Sequence, residues 1–335
     1  MLTDKFPRAV LAHTPTPVER LDNLSDELGG PKIWIKRDDC TGLAFGGNKA
    51  RQLEYYFGEA VQDNADTILI TSAVQSNYSR TAVAAARKYG MDAVVQQEER
   101  VPDRPEEYYK SGNPYLSKLM GAHILSYPEG EDEEGADKAV FEQAEKLRAQ
   151  GKTPYVIPLA GTHIPLGSLG YVDCAEEILG QIKAMDINID AIICASGSGT
   201  THAGLVAGLR AMASDIPVYG ICVRRDKISQ ISRVFEKTGK VADMIGHKGI
   251  IKQDDIWLDD SVLSPGYGQL NDQVTEAIDL AAKCEGLLVD PVYTGKALAG
   301  LIELVRKGQF KKDQNIMFIH TGGAPALFGY PELVE

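Results

Sequence analysis

Ile192-Ile193-Cys194-Ala195-Ser196-Gly197-Ser198-Gly199-Thr200-Thr201-His202-Ala203-Gly204 is the stretch whose reading sets the fold class. An unbroken apolar run ends in a small-residue turn, and a helical run follows at once. A strand delivered through glycines into a helix start is the unit of an α/β fold with buried parallel strands. The same junction gathers free backbone N–H groups and the positive end of a helix dipole at one point, which favours an anion. The hydroxyls of Ser198, Thr200 and Thr201 add donors. Taken alone, the block also fits a tight turn with no ligand. A dinucleotide fingerprint would need glycine where His202 stands, and a Walker loop would need Gly-Lys-Ser/Thr. The next strand ends at Arg224-Arg225, a pair suited to a 2′-phosphate, so a dinucleotide-dependent reductase stays open.

Outward from this block the rhythm is strand, then helix. Strands are expected over 33–36, 67–71, 92–95, 122–126, 154–157, 191–195, 218–223 and 316–320. Helices are expected over 48–61, 76–89, 201–213, 272–284 and 295–307, with further helical patterns before the strands at 122 and 154. Apolar runs without alternation, each followed by a helical segment, indicate open, mostly parallel sheets flanked by helices. Glycine-rich blocks near Gly46 and between Gly161 and Gly170 mark crossings between two α/β units. The acidic stretch 129–137 reads as a solvated loop and helix start, because its carboxylates sit on consecutive residues.

The chain has 335 residues and a formal charge of −12. An acidic surface argues against nucleic acid as a partner, and no apolar run is long enough to cross a bilayer. The opening residues carry no apolar stretch after their basic residues, so no signal peptide is expected. Five scattered cysteines form no disulfide framework and no CxxC pair, which suits reduced thiols and a cytoplasmic location. The histidines show no metal-ligand spacing, and no G-x-S-x-G elbow supports Ser-His-Asp hydrolysis. No metal is expected.

Lys49 ends the run Ala44-Phe45-Gly46-Gly47-Asn48-Lys49. A partly buried lysine can shed its proton and capture an aldehyde, and the glycines before it let backbone approach a planar ring. Most lysines at a helix start are simply solvated, so the residue gains weight from its company. One block offers an amine and another offers a nest for a phosphate. Together they call for a phosphorylated aldehyde gripped at both ends, pyridoxal 5′-phosphate. Ala73-Val74-Gln75-Ser76-Asn77-Tyr78-Ser79-Arg80 is a third strand-to-helix junction. Ser76 and Asn77 are good helix caps, and the same groups suit a substrate carboxylate and a ring oxygen. Tyr267 and Tyr293 sit in glycine-bounded loops, where a phenol can act as acid or base or simply pack. Thr321 follows the last apolar strand, at the end where α/β ligands sit.

With these blocks in place, the chain resembles the family of D-cysteine desulfhydrases and 1-aminocyclopropane-1-carboxylate (ACC) deaminases, of fold type II among pyridoxal-phosphate enzymes. The resemblance is carried by Phe6-Pro7-Arg8, Ile35-Lys36-Arg37-Asp38-Asp39, Gly46-Gly47-Asn48-Lys49 and Gln75-Ser76-Asn77. It continues through 196–204, 290–296 and 320–325, and so covers nearly the whole chain. It implies Lys49 as the Schiff-base lysine and proton shuttle at Cα. It implies Gly197, Ser198, Gly199, Thr200 and Thr201 around the phosphate, and Asn48 and Asn77 beside the cofactor. Ser76, Asn77 and Tyr78 would bind substrate, with Tyr267 and Tyr293 near the reacting carbons.

The family's deaminases have glutamate after the tyrosine matching Tyr293 and leucine at the position of Thr321. This chain has Thr294 and Thr321, the desulfhydrase-like pair, both expected at the cofactor. A hydroxyl at the ring nitrogen deepens the electron sink less than a carboxylate does, which suits a prompt leaving group such as thiolate. Tyr78 departs from the histidine usual in desulfhydrases. Arg80, two positions on, is expected to be solvated rather than to meet a sulfonate.

The resemblance therefore implies a lyase that carries out β-elimination on a small cysteine-like amino acid, D-cysteine to pyruvate, sulfide and ammonia. The alternatives are L-cysteate sulfo-lyase, ACC deaminase, a β-replacement synthase, a reductase and a non-catalytic carrier of the cofactor. A homodimer is expected from the resemblance alone. The expected division is 1–46 with 162–335 as the larger, cofactor-binding domain and 47–161 as the smaller one inserted in it.

Overall fold

The computed structural model describes residues 1–159 and 163–334. Its strands are β1 (Val18–Arg20), β2 (Lys32–Lys36), β3 (Thr67–Ala73), β4 (Asp92–Glu98), β5 (His123–Tyr127), β6 (Pro154–Ile157), β7 (Ala191–Ser196), β8 (Val218–Cys222), β9 (Trp257–Asp259) and β10 (Asn315–Ile319). The helices are α1 (Asp22–Leu28), α2 (Asn48–Gln62), α3 (Asn77–Lys88), α4 (Glu106–Lys110), α5 (Gly112–Leu119) and α6 (Glu133–Ala149), followed by α7 (Leu169–Ala184), α8 (Thr200–Ala211), α9 (Lys227–Met244), α10 (Asp272–Glu285) and α11 (Thr294–Arg306).

Two sheets result. One has the order β1-β2-β10-β7-β8-β9, and the other has the order β5-β4-β3-β6. Every pairing is parallel except β1 with β2. The crossings that put β10 between β2 and β7 leave strand ends pointing at one cleft, where α/β proteins bind ligands. The smaller sheet draws all its strands from between β2 and β7. The chain boundary expected at 161–162 lies outside the described residues.

Burial explains the layers. One face of the larger sheet packs against α1, α10 and α11 through Leu24, Ala277, Leu298 and Ile302. Its other face packs against α7, α8 and α9 through Ile178, Leu205 and Val234. The smaller sheet is covered by α2 and α3 on one side, with Leu53, Phe57 and Val83 in a core that continues into α7 and α8. Val140 and Ala144 of α6 cover the other side. The all-buried β3 is why its sequence shows no alternation.

Several elements were absent from the sequence reading, among them β1, β9, α1, α7 and α9, and for three of these the reason is physical. β1 and β9 are three-residue edge strands with mixed exposure, too short to show a period. α7 follows the glycine-rich block and carries Gly170 in its first turn, and glycine weakens a helical signal. A Cβ on Gly170 would meet the Arg51 carbonyl oxygen at 2.3 Å, so the glycine exists to let α7 lie against α2.

A buried polar cluster then fixes α2. Arg51 donates to both Asp38 carboxylate oxygens at 3.0 Å and to Glu177 at 3.0 Å. Tyr171 donates to Asp38 at 2.6 Å, and Lys36 bonds Glu177 as well. Burial alone would raise the Asp38 pKa, but Arg51 pulls it below the usual carboxylate value. Arg51 lies two residues past Lys49, so the cluster anchors the helix turn that presents that amine.

Candidate active site

Four consecutive residues with positive φ, Ala44 to Gly47, bring the chain into α2. Gly46 needs its glycine, because a Cβ there would sit 2.0 Å from the Asp39 carbonyl oxygen. Asn48 N donates to Thr321 O at 3.0 Å, which joins this turn to the end of β10. Lys49 is half-buried, donates to Gln52 Oε1 at 3.1 Å and stands 4.9 Å over the Tyr78 ring. Burial lowers its pKa to about 8, so an appreciable fraction is neutral near pH 7.5.

The glycine-rich turn meets this amine from the larger sheet. Gly199 adopts φ +78 and leads directly into α8, and Ser198 Oγ donates to Thr200 Oγ1 at 3.1 Å. Two side chains of α2 tie the blocks together. Asn48 Nδ2 and Gln52 Nε2 both donate to Thr201 Oγ1 at 3.0 Å. One residue before Lys49 and three after it, the helix is thus bonded to the first turn of α8.

One cleft is lined by Asn48, Lys49, Ser76, Asn77, Tyr78, Gly197, Ser198, Gly199, Thr200, Thr201, Tyr267, Tyr293 and Thr321. Ser76 caps α3, accepting from Tyr78 N and Ser79 N, which leaves its hydroxyl hydrogen to donate. Tyr267 and Tyr293 share a 2.6 Å hydroxyl–hydroxyl hydrogen bond, and burial raises both phenol pKa values. Both therefore stay protonated at neutral pH.

Thr294 stands apart from the group it was expected to join. It is fully buried behind the cleft wall, its hydroxyl facing Asp290 Oδ1 at 2.6 Å and Gly322 O at 3.2 Å. Of the pair, only Thr321 is among the residues lining the cleft.

Arg80 is a correction. It is wholly buried rather than solvated, because α3 packs on both faces. It donates to Asn77 Oδ1 (2.8 Å), Asn113 Oδ1 (2.7 Å) and Gly46 O (2.9 Å). By occupying Asn77 Oδ1 it turns the amide nitrogen outward as a donor. Glu133 is a second correction within the acidic stretch. Its side chain is 13 % exposed and pairs with Arg224, Arg225 and Arg233. Burial would raise its pKa, yet the three guanidiniums hold it down to about 2.

Several cleft residues escaped the sequence reading: Gln52, Arg100, Glu133, Arg224 and Lys237. Arg224 was noticed only as a dinucleotide signal; here it serves Glu133. Lys237 lies on α9 and donates to Ser198 O at 2.7 Å, behind the glycine-rich turn. Nothing local marks a mid-helix lysine as a cleft residue.

The donor set fits pyridoxal phosphate. A cation of lowered pKa, helix-start N–H groups, three hydroxyls and Lys237 share a single cleft. A Cβ on Gly197 would come within 3.0 Å of Val223 Cγ2, so a substituted residue there would need that side chain to give way. Residues 10–322 match the model of the pyridoxal-phosphate dependent enzyme family. The chain belongs to this family. Its cofactor is pyridoxal phosphate, its fold is the type II fold, and the reductase alternative falls away.

The chain is 42 % identical over 326 residues to a D-cysteine desulfhydrase of Salmonella paratyphi C, covering 97 % of each. A D-cysteine desulfhydrase of Salmonella typhi is 41 % identical over the same length. Among solved structures, an ACC deaminase homologue superposes with a TM-score of 0.86 at 38 % identity, covering 99 % of this chain and 96 % of that one. A hydrogen sulfide-producing enzyme of Fusobacterium nucleatum shares the fold alone, with a TM-score of 0.64 at 16 % identity and coverage of 97 % and 98 %. No helix among the described residues is long and apolar enough to cross a membrane, and among them no His, Cys, Asp and Glu cluster is placed to hold a metal ion.

Proposed function

We propose that this chain catalyses β-elimination on a small cysteine-like amino acid, converting D-cysteine to pyruvate, sulfide and ammonia. The two hydrogen bonds that Asn48 and Gln52 donate to Thr201 Oγ1 carry the proposal, since they make amine and anion cradle one site. The likeness to D-cysteine desulfhydrases over nearly the whole chain supports the choice of substrate.

Bound in this cleft, pyridoxal phosphate would supply an aldehyde for amine capture and an aromatic ring that withdraws electrons from Cα. Gly197 to Thr201 and Lys237 would hold its phosphate, Asn77 Nδ2 its ring oxygen, and Thr321 its ring nitrogen. The protein's own residues then divide the work. Lys49 Nζ, neutral in part because it is desolvated, accepts the Cα proton. Ser76 and the start of α3 bind the substrate carboxylate and fix which face of Cα meets that amine. The coupled phenols of Tyr267 and Tyr293 donate a proton toward the leaving group, and their raised pKa values keep that proton available.

Purified holoprotein given D-cysteine, L-cysteine or ACC tests the reading. Equal release of sulfide and pyruvate from D-cysteine supports it, and 2-oxobutyrate from ACC without sulfide from either cysteine overturns it. The expected division of the chain at 46–47 and 161–162 and a cytoplasmic homodimer are part of the same proposal. Sedimentation of the holoprotein checks the dimer.

A further inference from the structure

Lys296 is a buried cation that does not line the cleft. It lies in the first turn of α11, three residues past Tyr293. Among the described residues it has no carboxylate partner. Its Nζ donates instead to two backbone carbonyls, Leu263 O at 3.1 Å and Gly266 O at 2.7 Å. Burial lowers its pKa to about 8. Taking an ammonium out of water is costly, and neutral acceptors offset that cost only in part. Loop carbonyls could face water instead, so what the buried charge secures is the position of these two.

Both carbonyls belong to the segment 260–271 between β9 and α10, which carries Tyr267. That segment has no helix or strand of its own, and Ser264 and Pro265 within it are exposed. Gly266 O is the carbonyl of the peptide bond leading into Tyr267. On the other side Tyr330 donates to Gly268 O at 2.7 Å, so Tyr267 is pinned from both flanks. Tyr293 is held separately. Asp290 accepts from Tyr293 N at 3.0 Å and from Thr294 N at 2.8 Å, and α11 starts at once. Lys296 thus ties the helix that sets Tyr293 to the loop that sets Tyr267. The two hydroxyls meet at 2.6 Å, with the rings edge-on at 70°. A slip of about 1 Å would leave a separation that is no longer a hydrogen bond.

We infer that Lys296 is a positioning residue for protonation of the leaving group. By tying the Tyr267 loop to α11, it keeps the two phenols in one hydrogen-bonded pair aimed at the substrate's β-substituent. The inference rests on the β-elimination reading. The Cβ–S bond breaks with its electron pair on sulfur, and the departing hydrosulfide takes a phenol proton to leave as hydrogen sulfide. Water reprotonates the phenolate and takes up the proton that Lys49 Nζ removed from Cα. Chloride is a far weaker base and departs from 3-chloroalanine without such a proton. The advantage of thiol over chloride as leaving group therefore reports the alignment of the phenols, and through it the work of Lys296.

The test compares kcat for D-cysteine with kcat for 3-chloro-D-alanine in holoprotein. A ratio of two substrates on one preparation does not depend on how much of it is folded. Lys296→Met should lower the cysteine-to-chloroalanine ratio about tenfold or more, and Lys296→Gln, which keeps a donor, should lower it less. Tyr293→Phe should lower the same ratio, and adding Lys296→Met to it should bring no further fall. Equal slowing of both substrates in Lys296→Met, or no slowing, would make the lysine a stability residue only and overturn the inference. A further fall in the double variant overturns it too. An unchanged ratio in Tyr293→Phe overturns the phenols as the acid, and the inference falls with them. Turnover of 3-chloro-D-alanine without D-cysteine leaves β-elimination standing but shows no acid at work, which also overturns the inference. No turnover of either substrate by the unaltered protein overturns the β-elimination reading itself.

Discussion

Replacing Lys237 with methionine removes the one cation that α9 places against the glycine-rich turn while keeping most of the side chain's volume. Lys237 Nζ is already fixed by Ser198 O at 2.7 Å, so little ordering entropy is spent when a phosphate arrives. A charge-assisted hydrogen bond contributes about 1.5–3 kcal/mol, and Lys237 is half-buried, which favours the lower end. The dissociation constant for pyridoxal phosphate should therefore rise about tenfold or somewhat more. Burial, and then Arg233, lower the Lys237 pKa to about 7. Below pH 7 the free site already carries the charge, and a bound phosphate holds the proton on. The wild-type advantage is thus full at pH 6 and shrinks as pH rises past 7. Titration of apoprotein with the cofactor, following the visible band at pH 6, 7, 8 and 9, measures both effects. Equal affinities at pH 6, or a gap that widens with pH, would refute this role for Lys237.

Lys49→Ala should lose the visible band, and a band that persists unchanged would show that another amine is the anchor. In wild-type apoprotein, band formation should speed up as pH rises and level off above about 8, following deprotonation of Lys49; stopped-flow absorbance reads it. Asp38→Asn leaves Arg51 buried without its carboxylate and should cost about 3–5 kcal/mol of stability in urea unfolding. A loss below about 1 kcal/mol would mean that Glu177 suffices. Tyr293→Phe removes the 2.6 Å phenol contact and should lower kcat about a hundredfold with the visible band kept; unchanged turnover would assign the proton to another group.

The fold and much of the cleft were legible because their signals are local. A buried parallel strand is an apolar run, and a helix start after a tight turn shows its glycines and hydroxyls within a few residues. That is how Lys49, Ser76 and the 197–201 turn could be named. Arg80 shows where such reading fails, since a single helix position does not reveal that both faces of α3 are covered. Thr294 fails in a related way. Its neighbour Tyr293 lines the cleft, but Asp290, four residues earlier, holds the Thr294 hydroxyl.

What the amino-acid order determined by itself was chemistry and period: which amine follows glycines, which turn can nest an anion, and which runs must be buried. Only the tertiary structure decided charge and neighbourhood. Arg100, Glu133, Arg224 and Lys237 come from β4, α6, β8 and α9 surroundings far apart in the chain, and no local pattern marks them as neighbours in one cleft. Their meeting depends on the crossings between two sheets, and with it the pKa of each and the polarity of the wall facing the substrate. Electrostatic energy depends on distance and desolvation, and neither is written along the chain.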